Sequence, residues 1–294
     1  MHMSIPKNHH YVPQWLSKRW ITLPEETRIF GLTKERNGPV GHSWKATPKA
    51  VCWEKHEYTI NDDSGEKDTS LESEFYSKMD DNLNTVIKEI VDLVRQGTLP
   101  KIDEETRMGL AHSLVIDMGR RNPDQKEVTL EAAQKPDFKA AILHRIPERF
   151  SEQDAEKMYD HLTSDIEHMK LTTNKSRRSL LQKGVGSLTD KPFRYVIAPE
   201  GKTFVLGNPL VLASDVYIVP IDPKISIVFR SSDGPLIGTL TNESVRKINE
   251  SIYRNSSRVI ATCPKLLRSL AKHNGIKLNF SAESDKPEQA GKLK

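Results

Sequence analysis

The chain has 294 residues, 36% hydrophobic and 29% charged, with a formal net charge of +4. That length can bury a core as one large domain or two small ones, and no apolar run reaches the roughly 18 residues of a membrane span. The opening lacks the basic-then-apolar pattern of a secretion signal. Two distant cysteines, Cys52 and Cys263, argue against a cysteine zinc site and suit a free-thiol protein of the cytoplasm. The mild basicity admits nucleic acid as a partner but does not by itself argue for one.

In chain order, the first dense stretch is Lys7–Trp20, "KNHHYVPQWLSKRW". It places two histidines, a tyrosine, a Val-Pro break and a basic-aromatic run where chains usually fray. Pro13 suits the start of a short helix. Tyr11, Val12, Trp15, Leu16 and Trp20 supply an apolar anchor for it. "TRIFGLTK" alternates as a strand does. "ERNGPVGHSW" reads as turn-rich, and "AVCWEKHEYTI" holds a short strand or turn. Apolar residues from Leu71 to Val94 recur at three and four, predicting a long helix capped by Thr69 or Ser70 and ended by Gly97 and Pro100. A second helix starts at the N-cap Asp103, carries Met108, Ala111, Leu114, Val115 and Met118 on one face, and closes at "RRNP". Further helices are expected over about 127–146 and from Ser151, the latter with Ala155, Met158, Leu162, Ile166 and Met169 inward.

The texture then changes. A basic connector leads into "FRYVIAP", "TFVLGN", "DVYIVPI" and "ISIVFR", short β-branched runs broken by Pro, Gly and Asn. A helix over Glu243–Asn255, a strand "RVIAT" and a last helix from Pro264 to Lys272 follow. The plan is α+β: a helical middle, about 70–182, packed on a mostly antiparallel sheet formed by the C-terminal part, about 190–275, and the N-terminal strand. Residues 1–280 read as a single domain, and 281–294 as a disordered tail.

"HHYVPQWLSKRW" resembles the opening signature of a large, mostly bacterial family of uncharacterised domains, whose members typically begin His-His-Tyr-Val-Pro-Gln-Phe. "WEKHEYTI" with "LESEFYSKMDDNL", "DMGRRNP", "FVLGNPLV", "YIVPIDPKISIVF" and "INESIYRNSSRVIAT" resemble further family segments in the same order. The resemblance covers most of the chain and implies no assigned activity. One position departs from the pattern: where the family carries Ser-Asp before Asn-Pro, this chain has Leu206-Gly207 before Asn208-Pro209.

Candidate site residues each have a plain structural reading beside the functional one. His9 and His10 are adjacent in an extended run, so they point opposite ways and one alone faces any given pocket. Tyr11 and Gln14 beside them offer a hydroxyl and an amide to orient a ring nitrogen or a substrate. The run also resembles the first arm of ββα-metal nucleases, but the spacing disagrees. Glu72 and Glu74 suit a helix N-terminus; alternatively Glu72 joins Glu54 and a histidine in an acid–base or metal cluster. Arg120 and Arg121 suit a helix C-terminus, or clamp an anion. Asn208 suits a turn, or presents its amide at a sheet edge. Lys175, Arg177 and Arg178 form a basic loop that suits solvent or phosphate. Walker, GxGxxG, GxSxG and HExxH motifs are all missing from the sequence.

Together these residues make a kit for phosphoester chemistry: a His base, an Arg for developing charge, and carboxylates able to hold a divalent metal. The leading reading is a nuclease-like effector of the toxin or phage-defence type, with nucleic acid or a nucleotide as partner and no membrane. The other reading is a non-catalytic nucleic-acid- or protein-binding module in which HHYVPQ is a structural plug. The tail yields a first prediction. It lacks the apolar content to repay ordering, so deleting 281–294 should leave the thermal midpoint unchanged; a fall of several degrees in a melting scan would refute this.

Overall fold

The computed structural model describes residues 8–10, 12–21, 25–34, 40–55, 60–61, 67–68, 77–120, 193–207, 210–213, 216–230 and 236–280. The helices expected over 127–146 and from Ser151, the cap at Thr69 or Ser70, the basic connector and the tail lie outside the described residues. The chain runs β1 (Asn8–His10), α1 (Gln14–Lys18), β2 (Ile29–Lys34), β3 (Val40–Ala46), a 3-10 turn (Pro48–Ala50) and β4 (Trp53–Lys55). The short strands β5 (Ile60–Asn61) and β6 (Lys67–Asp68) lead to α2 (Ser77–Arg95) and α3 (Glu104–Arg120). The C-terminal part supplies β7 (Phe193–Ile197), β8 (Leu210–Ala213), β9 (Val216–Pro220), β10 (Ile225–Arg230), β11 (Ile237–Thr239), α4 (Asn242–Asn255), β12 (Arg258–Ala261), α5 (Pro264–His273) and β13 (Lys277–Phe280). The class is α+β. No helix among the described residues is long and apolar enough to cross a membrane.

Two larger sheets stand where one was expected. Five strands run in the order β11-β7-β10-β9-β8, and four in the order β12-β2-β3-β13. The N-terminal strand therefore does pair with C-terminal strands, but in a sheet of its own: β2 is antiparallel to β12, and β3 is parallel to β13. "ERNGPVGHSW" is not wholly turn, because β3 occupies its second half. The alternation there was hidden by Gly41 and by polar residues on the outer face. Gly31 makes room for the β3 partner: a Cβ there would lie 2.1 Å from the Trp44 ring.

The apolar runs are explained by burial on both faces. In β10, Ile225, Ile227 and Phe229 face one core, and Val228 faces another. A strand covered on both sides loses its alternation and reads as a continuous apolar run. The first core is closed by Leu83, Ile87, Ile90, Val91 and Val94 of α2 with Leu110, Ala111 and Leu114 of α3. Phe193 and Phe229 meet edge-to-face in it, centroids 4.8 Å apart. Met108, expected inward on α3, is instead exposed. Asp103 caps α3 as expected: its Oδ1 accepts from the Thr106 N–H at 2.7 Å. The second core lies between the two sheets, with α4 (Val245, Ile248, Ile252, Tyr253) and α5 (Leu267, Leu270, Ala271).

Residues 203–206 run extended between these bodies and rely on side chains for much of their pairing. Asn249 of α4, 3% exposed, accepts from the Val205 N–H at 3.0 Å and donates to the Thr203 carbonyl at 2.8 Å. Asn249→Ala should leave both groups unmatched. A loss of about 1–3 kcal/mol for each unpaired buried group is expected in chemical denaturation, and wild-type stability would show that the clamp is dispensable.

Candidate functional site

The HHYVPQW stretch is held against the body. β1 pairs antiparallel with β4, His9 opposite Glu54 and His10 opposite Trp53. The Val12 N–H then reaches the Cys52 carbonyl at 3.5 Å. Cys52 is buried with φ +58°, a conformation that costs a non-glycine residue and needs support from its surroundings. α1 starts after Pro13, as the sequence predicts, and packs against the 3-10 turn and α2.

Val12, Leu16 and Trp20 are buried with Ile29, Cys52, Leu206 and Ile260. Trp20 also donates from Nε1 to the Phe204 carbonyl at 3.0 Å. Leu206 exchanges two backbone hydrogen bonds with Ile260, at 2.9 and 2.7 Å. Trp20, Asn249 and Ile260 thus fix the stem that leads to Asn208.

The sequence-derived site residues are met unevenly. His9 and His10 lie on β1, and Gln14 opens α1, its carbonyl accepting from Ser17 Oγ at 3.1 Å. Arg120 ends α3. Tyr11, Glu72, Glu74, Arg121, Lys175, Arg177, Arg178 and Asn208 lie outside the described residues, as do the side chains of His9, His10, Glu54 and Arg120. Among the described residues, no three or more His, Cys, Asp or Glu are grouped to hold a metal.

The match to a family model of the description "Protein of unknown function (DUF4238)" runs over residues 8–265. The chain belongs to this family. No curated protein and no solved structure matches it.

The resemblance read from the sequence implies an aspartate at the position of Gly207. Here that position has no room for a side chain. A Cβ on Gly207 would lie 2.5 Å from Ser256 Oγ and 2.8 Å from Ile252 Cγ2. Ser256 Oγ is itself committed to the Ile252 carbonyl at 2.6 Å. The departure is thus built into the packing of α4 on the extended segment.

Sequence reading missed a second cluster, carried by the same stretch. Arg19 follows α1, and its guanidinium carbon sits 5.7 Å from the centroid of the Trp15 ring. Its Nη2 donates to Asn84 Oδ1 of α2 at 3.3 Å. Nearby, Asp222 is 3% exposed and accepts from Arg95 Nη2 at 2.8 Å. Burial lowers the Arg19 pKa from its ordinary value; Asp222 opposes this, Arg95 adds to it, and Asp92 opposes it. The available signal was the i, i+4 spacing of Trp15 and Arg19; Trp15 was read only as an anchor and Arg19 only as part of the basic-aromatic run.

The Gly207 packing makes a prediction about adding a side chain there. Gly207→Asp should destabilise the protein by about 1–3 kcal/mol or more through overpacking, read from the urea midpoint. A variant as stable as wild type would mean that the α4 end yields easily.

Proposed function

We propose that the protein is an enzyme acting on phosphoesters of nucleic acid or nucleotides, with His9 of β1 as the proton-transfer group. The observation that carries this reading is the register of His9 opposite Glu54 in a strand pair anchored from below. Residues directly opposite in an antiparallel pair have Cβ atoms roughly 4.5–5.5 Å apart. A carboxylate at that range favours the charged imidazole and can fix the tautomer of the neutral one. His9 would take the proton of the attacking water or hydroxyl as that oxygen bonds to phosphorus. The ester P–O bond then breaks, and the departing oxygen takes a proton. In this reading His10, opposite Trp53 in the register, takes the structural role. The net charge of +4 suits a polyanion. Such an enzyme would serve in the cytoplasm as an effector of the toxin or phage-defence type.

A binding module is the second reading, and the depth of the anchor favours it. Leu16 and Trp20 are each 1% exposed, so the segment is fixed whether or not a histidine reacts.

The full chain should be assayed on labelled DNA, RNA and nucleotides, with and without divalent cations, beside His9→Ala and His10→Ala. The expected outcome is that His9→Ala keeps its thermal midpoint and loses about 100-fold or more in rate. His10→Ala should lose about 1–3 kcal/mol of stability. Two stable, fully active variants, or a wild type inert on every substrate, would overturn the enzyme reading.

A further inference from the structure

The cluster around Arg19 contains two donors without an acceptor among the described residues. Arg19 Nε and Trp15 Nε1 are both buried, and neither meets a hydrogen-bond acceptor among the described residues. A fold rarely leaves such donors without partners, because desolvating them is costly and nothing is returned. Here two occur together, four residues apart in sequence. Trp20, on the same segment, does find its acceptor in the Phe204 carbonyl.

The charges around Arg19 are also incompletely matched. Asp222 is the larger of the two acidic influences on Arg19, but its carboxylate is engaged by Arg95 at 2.8 Å and by the Lys224 N–H at 2.9 Å. Asn84 anchors Arg19 through a neutral amide. The guanidinium is therefore positioned by a neutral group, stacked against an indole, and offset by a carboxylate that is already used. That arrangement preserves the cation's capacity for an external anion.

We propose that Arg19 and Trp15, with Arg19 held by Asn84, form a binding site for an oxyanion, either a phosphate ester or a carboxylate. The site lies between α1 and α2, and its ligand is a single anionic group that takes one N–H from the guanidinium and one from the indole. Arg95 adds positive charge beside it. The site does not depend on a catalytic role for His9 or His10, so it stands or falls separately from the enzyme reading.

The test uses the full chain and simple probes. Thermal midpoints are measured against sodium phosphate, sodium acetate and sodium chloride at matched ionic strength, and binding of the effective anion is then titrated by calorimetry. Phosphate should raise the midpoint saturably above chloride. Trp15→Phe keeps the ring and removes the indole donor, and Arg19→Lys keeps the charge and removes the fork. Each should weaken binding about tenfold, as the loss of one hydrogen bond to a charged group would. A saturable response to acetate and not to phosphate, lost in the same variants, would support the site and assign it to carboxylates. If Arg19→Lys does not fold, Trp15→Phe decides. Equal effects of all three salts, or an anion response that persists undiminished in Trp15→Phe, would overturn the proposal.

Discussion

The structure depends on how residues 203–206 are held. An extended segment between two sheets cannot leave its N–H and C=O groups bare, because each buried orphan costs as much as a lost hydrogen bond. In a sheet, neighbouring strands would satisfy them. Here the work is divided: Asn249 of α4 takes the Thr203 carbonyl and the Val205 N–H, Trp20 takes the Phe204 carbonyl, the Pro223 carbonyl takes the Phe204 N–H, and Ile260 of β12 takes Leu206. The N-terminal stretch, the turn before β10 and the α4–β12 unit thereby meet on one short run. The Trp20 contact fixes the N-terminal stretch, so residues that would otherwise fray become part of the core.

This arrangement also explains the sheet topology. β2 and β3 enter early and β12 and β13 late, yet they form one sheet. That sheet can close only if the intervening chain returns to it, and residues 203–206 bring it back beside β12. The five-stranded sheet is then covered on both faces, by α2 and α3 on one side and by the inter-sheet core on the other. Burial on both faces is why β10 reads as a nearly unbroken apolar run, and why Ser226 in its middle is fully buried.

The long helix, the Asp103 cap, the α4 helix and the β-branched runs were all legible in the sequence, because each follows from local rules of period, capping and branching. β11 and β13 were not: three and four residues long, they exist as strands only because β7 and β3 offer an edge. The division into two sheets was equally hidden, since pairing partners separated by about 200 residues leave no local trace. At the site, the anchor residues Val12, Leu16 and Trp20 could be read from their apolar spacing around Pro13. Asn249 could not, because a polar residue on an amphipathic helix normally marks the solvent face, and its burial follows only from the backbone it serves. Arg19 was obscured in the same way, its charge suggesting solvent and its surroundings supplying an indole and a neutral amide instead.

The two features of the opening stretch are mechanically one unit. Four residues lie between His10 and Trp15, so five Cα–Cα steps limit their separation to about 18 Å, and Pro13 restricts the joint between β1 and α1. Both ends are fastened, β1 by its ladder to β4 and α1 by Leu16 and Trp20. A group bound at Arg19 would therefore sit at a fixed offset from β1 rather than at a fluctuating one. Fixed offset is what positioning requires, since the advantage of a bound substrate comes from loss of motion already accounted for in folding. It also bears on the ligand's size. If one molecule serves both places, it needs an anionic group at Arg19 and a second functional group one span away. A chain with phosphates in series meets that requirement, whereas an isolated phosphate does not.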